Sequence, residues 1–424
     1  MRRLLSSLFL CLAMPVSAQE FTTYKGHGGP IFGLVVTDDD TLASASFDNS
    51  VGVWDGRVPR WLEGHDAAVT AIAQDMDGAL VTGGDDFAVW HWGDSPRMIG
   101  RHRGKVTSLA ASPDGSVIAA GSWDGTIVLW PLGQGSAETL PFAGAGVNAV
   151  AYAPDGAALF AATSRGEVLR YDMGLRGKPR PLARHSFGIN RLLVGDAWIA
   201  YGAVDGRTRV IDATSGAQIA DFTLDRRPIL AMDYHAATRR LAIGDGQGHI
   251  MMIDTTAWRI TRDFRAMRRG PVWALAFSKD GRVIHAGGID DVIYAWPVAL
   301  LDTYDPAGGD TRESRRDPAT MSNGEQQFMR RCSICHSLEA GPSRKAGPTL
   351  HGVFGRRAGV VPGYRYSPTL DGSAIVWNDA TIDALFDVGP DHYIPGTKMP
   401  MQVIANSADR ADLVAFLRTA TNKE

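Results

Sequence analysis

The chain has 424 residues, of which 45% are hydrophobic and 21% are charged, with a formal net charge of -3. At about 150 residues per domain this length suggests two or three domains, although a β-propeller can be much longer as one unit. The small net charge argues against a nucleic acid partner, which a strongly basic chain would favour.

The first residues, MRRLLSSLFLCLAMPVSAQEF, have the pattern of a secretory signal peptide. Arg2 and Arg3 precede an apolar run, Leu4–Met14, that is too short to span a bilayer, and Val16–Ala18 has the small residues of a cleavage site. We therefore expect residues 1–18 to be removed and the mature protein to be exported to the periplasm. An uncleaved membrane anchor is the alternative. No second apolar run of about 20 residues follows, so no transmembrane span is expected.

A repeat of about 40 residues follows the signal segment. Its units end in a short apolar strand with an aromatic or aliphatic anchor, as in SASFDNSVGVWD and AGSWDGTIVLW. The seven anchors are spaced by 38 to 43 residues, at Trp54, Trp92, Trp130, Tyr171, Ile211, Ile253 and Trp296. Short apolar runs bounded by Asp-Gly turns are typical of strands. Seven such units predict an all-β, seven-bladed propeller with four strands per blade, which we place at residues 19–298.

The first three units resemble the WD-repeat family, because each combines a histidine with a turn aspartate and a strand tryptophan. In that family these residues form a structural hydrogen-bond network. The resemblance assigns this role to His27, Asp48 and Trp54, to His65, Asp86 and Trp92, and to His102, Asp124 and Trp130. Metal binding is the weaker interpretation, since the histidines lie on different blades. The last four units lack the complete set.

A propeller must close its ring, or one strand edge stays unpaired. Residues Phe21–Lys25 stand just before the first unit. We predict that they form the outer strand of the seventh blade, next to the strand that ends at Trp296. Because propellers commonly present loops as binding surfaces, the domain is expected to bind a partner protein.

A linker is predicted at residues 299–320, because DTYDPAGGDTRESRRDPAT is rich in charge, glycine and proline and has no apolar period. The second domain, residues 321–424, contains CSICH, in which Cys332 and Cys335 are followed directly by His336. A Cys-x-x-Cys-His motif is typical of covalent c-type haem attachment. A disulfide or a thioredoxin-type redox site is the alternative, but it leaves the histidine unexplained and lacks a βαβ context.

A c-type haem needs an axial ligand on each side of its iron. His336 can reach the iron from one side, and Met399 in YIPGTKMPM offers a thioether from the other. A thioether favours the ferrous state and raises the potential. A sixth ligand also closes the iron to small substrates, which suits electron transfer better than catalysis. Less favoured candidates for ligation are Met401, Met329, His351 and His392.

This segment resembles a mitochondrial-type, class I cytochrome c, an all-α fold, over CSICHSLE, AGPTLHGVFGRRAG, PGYRYS, YIPGTKM and DRADLVAFLRTAT. The resemblance implies one haem c, attached at Cys332 and Cys335 and ligated by His336 and Met399. It implies that the Pro348 carbonyl accepts the proximal imidazole proton. It further implies roles around a buried haem propionate, and near the methionine, for Arg356, Tyr366, Trp377 and Thr397.

Two amphipathic helices are predicted at the ends of this domain. The first contains Gly324, which we expect to lie close against Leu413 and Phe416 of the second. Ser407 is the predicted N-cap of the second helix.

The favoured hypothesis is an exported electron carrier with one low-spin haem, joined to a propeller that docks a periplasmic redox partner protein. The cytochrome-like segment has 11 Lys and Arg against 10 Asp and Glu, so strong electrostatic steering is not indicated. One alternative is an enzyme, a periplasmic oxidoreductase whose propeller binds a substrate and passes electrons to the haem. Another is a sensor or assembly factor whose haem reports the redox state. No catalytic residue is assigned.

Overall fold

Seven four-stranded antiparallel sheets precede a helical domain in the computed structural model, which describes residues 22–175, 177–224, 228–267, 269–301 and 320–422. The predicted signal peptide and residues 302–319 of the predicted linker lie outside the described residues. The two predicted fold classes, an all-β seven-bladed propeller and an all-α cytochrome c domain, are both confirmed.

Each sheet is one blade, and its strands follow one another in sequence. Blade 1 holds β2 to β5, at Ile31–Val36, Leu42–Ser46, Ser50–Asp55 and Val58–Glu63. Blade 2 holds β6 to β9, at Val69–Gln74, Leu80–Gly84, Ala88–Trp92 and Arg97–Arg101. Blade 3 holds β10 to β13, at Val106–Ala111, Val117–Ser122, Ile127–Pro131 and Glu138–Thr139.

The remaining blades keep the same order. Blade 4 holds β14 to β17, at Val147–Tyr152, Ala158–Thr163, Glu167–Asp172 and Arg180–Arg184. Blade 5 holds β18 to β21, at Ile189–Val194, Trp198–Ala203, Thr208–Asp212 and Gln218–Asp221. Blade 6 holds β22 to β25, at Ile229–His235, Arg240–Asp245, His249–Asp254 and Arg259–Arg265. Blade 7 holds β26 to β28, at Val272–Phe277, Val283–Gly288 and Val292–Pro297.

The ring is closed by β1, Thr22–Lys25, which supplies the fourth strand of blade 7. β1 pairs antiparallel with β28, with Thr22 opposite Ala295 and Lys25 opposite Val292. The Tyr24 ring packs edge-on against Trp54 of blade 1, with ring centroids 5.4 Å apart. The predicted closing strand is therefore confirmed for Thr22–Lys25, while Phe21 lies outside the described residues.

Side chains also join neighbouring blades at the start of their innermost strands. In four blades the second residue of this strand donates a hydrogen bond to the carbonyl of the first residue of the next innermost strand. The pairs are Thr70 to Val106, Thr107 to Val147, Asn148 to Ile189 and Asn190 to Ile229, at 2.5 to 2.9 Å. These bonds satisfy carbonyls at the blade seams and fix the position of each blade against the next.

The predicted WD-type networks form completely in blades 1 and 2. His27 Nδ1 bonds the Asp48 carboxylate at 2.8 Å, and the Ser44 hydroxyl contacts both His27 Nε2 and Trp54 Nε1 at 2.8 Å. Blade 2 repeats this arrangement, with Thr82 in the place of Ser44.

The network of blade 3 is broken. His102 lies 3.8 Å from the Asp124 carboxylate and bonds Thr126 instead. Ala120 stands where blades 1 and 2 have a hydroxyl, so His102 Nε2 and Trp130 Nε1 are buried without a hydrogen-bond partner among the described residues. The role predicted for His102, Asp124 and Trp130 is thus wrong in its complete form, because the bridging side chain is missing.

The helical domain contains α1 (Asn323–Arg331), α2 (Asp379–Val388), α3 (Pro390–Tyr393) and α4 (Ser407–Ala420). A 3-10 helix, Val298–Leu300, ends the propeller. The domain has its own core, which includes Phe328, Ile382, Leu385, Leu413 and Leu417. Among the described residues, no helix is both long and apolar enough to cross a membrane.

The contact between α1 and α4 requires a glycine. A Cβ at Gly324 would lie 2.0 Å from the Asp412 carbonyl oxygen and 2.8 Å from the Phe416 Cβ. The predicted contact with Phe416 is confirmed, but the closest approach is to the backbone of Asp412. The N-cap of α4 is Asn406, which accepts from the Ala408 amide at 2.9 Å, so the prediction of Ser407 was wrong by one residue.

Candidate haem site

The end of α1 places the two cysteines and the histidine. Cys332 caps the helix, and its carbonyl accepts from the amides of Cys335 (3.0 Å) and His336 (2.8 Å). This tight turn directs both thiols into one cavity, where Cys332 is 3% and Cys335 9% exposed. Burial raises the pKa of Cys332 to about 12 and that of Cys335 to about 11, so both are neutral thiols at pH 7.

His336 is held in one orientation by the loop that follows it. Its Nδ1 donates to the Pro348 carbonyl at 2.7 Å, which leaves Nε2 free to bind a metal. Burial lowers the pKa of His336, and this favours the neutral imidazole. A Cβ at Gly347 would lie 2.4 Å from His336 Cε1, so a side chain there would displace the ring.

The cavity has a volume of about 620 Å³ and is lined by Cys332, Cys335, His336 and Met399. This volume lies within the range of about 300–1,000 Å³ that is usual for ligand sites. The apolar part of its wall comes from Leu350, Trp377, Ile382, Leu385 and Phe386. Two thiols, an imidazole and a thioether around an apolar cavity are the groups that a covalent haem c requires. The residues present therefore fit this cofactor.

Met399 and Met401 have different surroundings although only Pro400 separates them. Met399 lines the cavity, and its amide donates to the Thr397 hydroxyl at 3.2 Å. Met401 is 45% exposed and packs outside the cavity, where a Cβ at Gly389 would lie 2.4 Å from its sulfur. The other candidates for ligation, Met329, His351 and His392, are not among the described residues that line the cavity.

The remaining predicted residues surround the same cavity, which Pro348, Arg356, Tyr366, Trp377 and Thr397 all line. Arg356 donates to the carbonyls of His351 (2.6 Å) and Thr349 (2.7 Å). The structure thus brings all nine predicted site residues together.

Two groups of lining residues were missed by the sequence analysis. Tyr364 lines the cavity and donates to the Ala346 carbonyl at 2.7 Å, and burial raises its pKa to about 12. Its place in PGYRYS, two residues before Tyr366, was the available signal. The second group comes from the propeller and includes Phe47, Asp66 and Phe87. No sequence pattern marks these residues, because they reach the site through contact between the domains.

A family model for cytochrome c matches residues 321–421. Cytochrome c of Sesamum indicum is 41% identical over 106 residues, which cover 24% of this chain and 93% of the relative. Cytochrome c of Ginkgo biloba is 38% identical over 111 residues, which cover 26% of this chain and 97% of the relative. The chain belongs to the cytochrome c family. Its cytochrome c domain carries a covalently attached haem c with iron, and membership in this family indicates electron transfer.

A second model, the WD domain or G-beta repeat, matches residues 18–55, 56–93, 94–131 and 259–297. These matches confirm the WD resemblance and indicate protein interaction as the task of the propeller. Each matched repeat is offset from a blade by one strand, since the match at 259–297 begins with the outer strand of blade 6. Because of the same offset, β1 belongs to the first matched repeat in the sequence but to blade 7 in the structure.

Proposed function

We propose that this protein is an exported single-electron carrier. Its haem is attached through Cys332 and Cys335 and ligated by His336 and Met399, and its propeller docks a redox partner protein in the periplasm. When bound, the haem iron supplies a one-electron couple, and the thioether of Met399 favours the reduced form. The protein's residues would orient the imidazole and supply both ligands to the iron.

The observation that carries this proposal is the placement of His336 and Met399 in the wall of one cavity with both cysteines. The Pro348 carbonyl fixes the histidine through Nδ1 and leaves Nε2 for the iron. With both iron ligands supplied by His336 and Met399, the site would offer no open coordination for a substrate. This supports electron transfer rather than chemistry at the iron.

The test compares Met399→Ala with Met401→Ala, which serves as a matched control two residues away. Met399→Ala should abolish the near-infrared sulfur-to-iron absorption band of the oxidised protein, lower the reduction potential and admit cyanide rapidly. Met401→Ala should change none of these, because Met401 does not line the cavity. Rapid cyanide binding by the unchanged protein would contradict the proposed ligation.

Export has its own test. The pattern of residues 1–18 supports cleavage after Ala18, so the mature chain should begin at Gln19. Mass spectrometry of the protein from a periplasmic extract should give this N-terminus and one covalent haem. Retention of residues 1–18 in a membrane fraction would favour the anchor alternative.

A further inference from the structure

The propeller forms the outer wall of the haem cavity. Phe47 and Phe87 line it from the turns that join the second and third strands of blades 1 and 2. Asp66 and Ala67 line it from the loop before β6. These residues line the cavity together with those of the cytochrome c domain.

Charged contacts attach the propeller to the methionine side of the site. Asp66 Oδ1 lies 2.7 Å from Arg365 Nη2 and 3.1 Å from Lys398 Nζ. Arg365 also donates to the His65 carbonyl at 2.8 Å. Lys398 directly precedes Met399, so one propeller carboxylate holds the loop that carries the sixth-ligand candidate.

A second set of contacts holds the histidine side. Arg344, in the loop between His336 and Pro348, bonds Glu63 at 3.0 Å. The same guanidinium lies over the Trp61 ring, 3.9 Å from its centroid, in cation–π geometry. The propeller therefore contacts the loop that carries Met399 and the loop that orients His336 through Pro348.

Gly28 shows that blade 1 is adapted to this contact. A Cβ at Gly28 would lie 1.9 Å from the Arg344 carbonyl oxygen. The blade itself does not need a glycine here. The equivalent positions of blades 2 and 3 are Asp66 and Arg103, and all three amides donate to the blade aspartate at 2.8 Å. Gly28 is the residue that lets the two domains approach.

We propose that the propeller is a closing wall of the haem site, and that electron exchange with another protein requires the two domains to separate. The basic residues that would meet an acidic partner, Arg344, Arg365 and Lys398, are engaged by Glu63 and Asp66 of the same chain. A partner protein and the propeller therefore compete for one face of the cytochrome c domain. This inference rests on the proposed electron transfer. It adds that electron transfer to another protein occurs only when the two domains are apart.

The contact is built to be reversible. Its five charged side chains are 27% to 69% exposed, and such pairs contribute only about 0–1 kcal/mol each. Salt weakens exposed ion pairs, and the Debye length falls from about 30 Å at 0.01 M to about 3 Å at 1 M ionic strength, which is the separation of the charged atoms in these pairs. Raising the salt concentration should therefore open the closed form.

The test measures how fast reduced flavodoxin, an acidic protein too large to enter the cavity, reduces the oxidised full-length protein. Closure predicts a slow rate at low salt that rises at least fivefold as salt is added. Without closure, attraction between the acidic probe and the basic residues predicts a rate that falls with salt. The sign of the salt dependence decides between the two.

Three variants are made at the position that follows the blade histidine, which is Gly28 in blade 1, Asp66 in blade 2 and Arg103 in blade 3. Each variant receives a residue that another blade already carries there. Gly28→Asp inserts the residue of blade 2, and Asp66→Arg inserts that of blade 3, so both blades should fold. Each should give a fast rate at low salt and faster amide hydrogen exchange around Asp66 and Arg344. Arg103→Asp is the matched control and should behave as the unchanged protein, because the described contacts of Arg103 lie within blade 3.

Gly28→Asp and Asp66→Arg variants with unchanged rates and unchanged amide exchange would overturn the closure. Failure of the proposed electron transfer would give a different result. Flavodoxin would then not reduce the haem at any salt concentration, whereas amide exchange would still detect the contact between the domains. Gly28→Asp could destabilise the propeller because its new side chain meets Arg344, and a lower unfolding temperature would show this. In that case Asp66→Arg decides, because it places no side chain against the Arg344 backbone.

Discussion

Ser44 in blade 1 and Thr82 in blade 2 each bond a histidine and a tryptophan through their hydroxyl groups. Ala120, at the same position of blade 3, has no hydroxyl group and leaves the corresponding ring nitrogens without a hydrogen-bond partner among the described residues. The hydroxyl of Thr82 contacts His65 and Trp92 at 2.8 Å, as Ser44 contacts His27 and Trp54. Burial alone would raise the pKa of Asp48, but the hydrogen bond and charge of His27, with Ser50 and the Gly28 amide, lower it. One hydroxyl per blade therefore completes a network that keeps a buried carboxylate ionised.

Restoring that hydroxyl in blade 3 should stabilise the propeller. Ala120→Ser supplies a partner for His102 Nε2 and Trp130 Nε1, and leaving such a group unpaired costs about 1–3 kcal/mol. We expect the free energy of unfolding to rise by about 1 kcal/mol in urea titrations. Thr82→Ala, the reverse change in blade 2, should lower it. A destabilising Ala120→Ser would show that the blade-3 site cannot take even one added oxygen.

The His102 network also shows the limit of motif reading at this scale. Histidine, aspartate and tryptophan recur in all three blades at nearly the same spacing, with one extra residue between His102 and Asp124, and so the motif predicts three equal networks. The deciding residue lies four positions before the aspartate, where serine, threonine and alanine look interchangeable as small strand residues. Only the geometry shows that two rings converge on that position.

At the scale of elements, spacing proved a better guide than residue identity. The WD repeat model matches blades 1 to 3 and the end of the ring, yet the sheets of blades 4 to 6 have the same four-stranded order. The period of about 40 residues predicted them without the motif. The error at Asn406 has a local cause, because adjacent Asn and Ser are both good N-caps and sequence does not rank them.

Removing β1 should destabilise the whole propeller. Deletion of residues 22–25 exposes the edge of β28 and removes the packing of Tyr24 against Trp54. We expect the unfolding temperature of the propeller to fall markedly and the protein to aggregate on heating. Tyr24→Phe keeps the strand and the ring and is the control. Equal melting of the deletion variant and the unchanged protein would show that the ring is held without its fourth strand.

Gly324→Ala should destabilise the cytochrome c domain selectively. The added methyl group would lie 2.0 Å from the Asp412 carbonyl, so α1 and α4 must move apart. Overpacking of this kind costs about 1–3 kcal/mol. The helical circular dichroism signal should melt at a lower temperature while the propeller transition stays fixed. Glu325→Ala, the half-buried neighbour, is the control and should change the melting temperature less.

At the scale of the whole molecule, His285 should make the propeller sensitive to acid. This side chain is 6% exposed, and burial lowers its pKa to about 4, against a weaker opposing effect of Asp40. In the unfolded chain the pKa is near 6.5. As the pH falls from 6.5 to 4 the unfolded state binds the proton first, so stability is lost by up to about 3 kcal/mol. Above pH 6.5 the group has no effect.

His285→Leu should remove this part of the acid sensitivity. Urea unfolding of the variant and the unchanged protein should differ in slope against pH only between about 6.5 and 4. His392→Leu, an exposed change in the other domain, should leave the slope unchanged. Parallel pH profiles for His285→Leu and the unchanged protein would assign the acid response to other groups.

The contact between the domains is the part of the molecule that sequence could least predict. The cytochrome c domain has nearly balanced charge, 11 basic against 10 acidic residues, so no steering was expected. The structure gathers Arg344, Arg365 and Lys398, which are up to 54 positions apart in sequence, on one face. Net charge hides such a face, because it depends on where three separate loops lie in space.

The two domains should differ in their need for haem. The core of the cytochrome c domain surrounds a cavity of about 620 Å³, whereas the propeller blades pack against one another. Without haem the apolar wall of this partly open cavity, which includes Trp377, Leu385 and Phe386, would face water. The whole stability of a typical domain is only about 5–15 kcal/mol. We therefore expect the helical domain to lose much of its stability without haem.

A chain with both Cys332→Ser and Cys335→Ser, expressed without haem attachment, tests this difference. Calorimetry of the haem-bound protein should show two transitions, one for each domain. The double variant should lose the cytochrome transition and most helical signal, while the propeller transition remains within a few degrees, because the contact between the domains is weak. Loss of both transitions would instead mean that the propeller depends on the docked cytochrome c domain for its own fold.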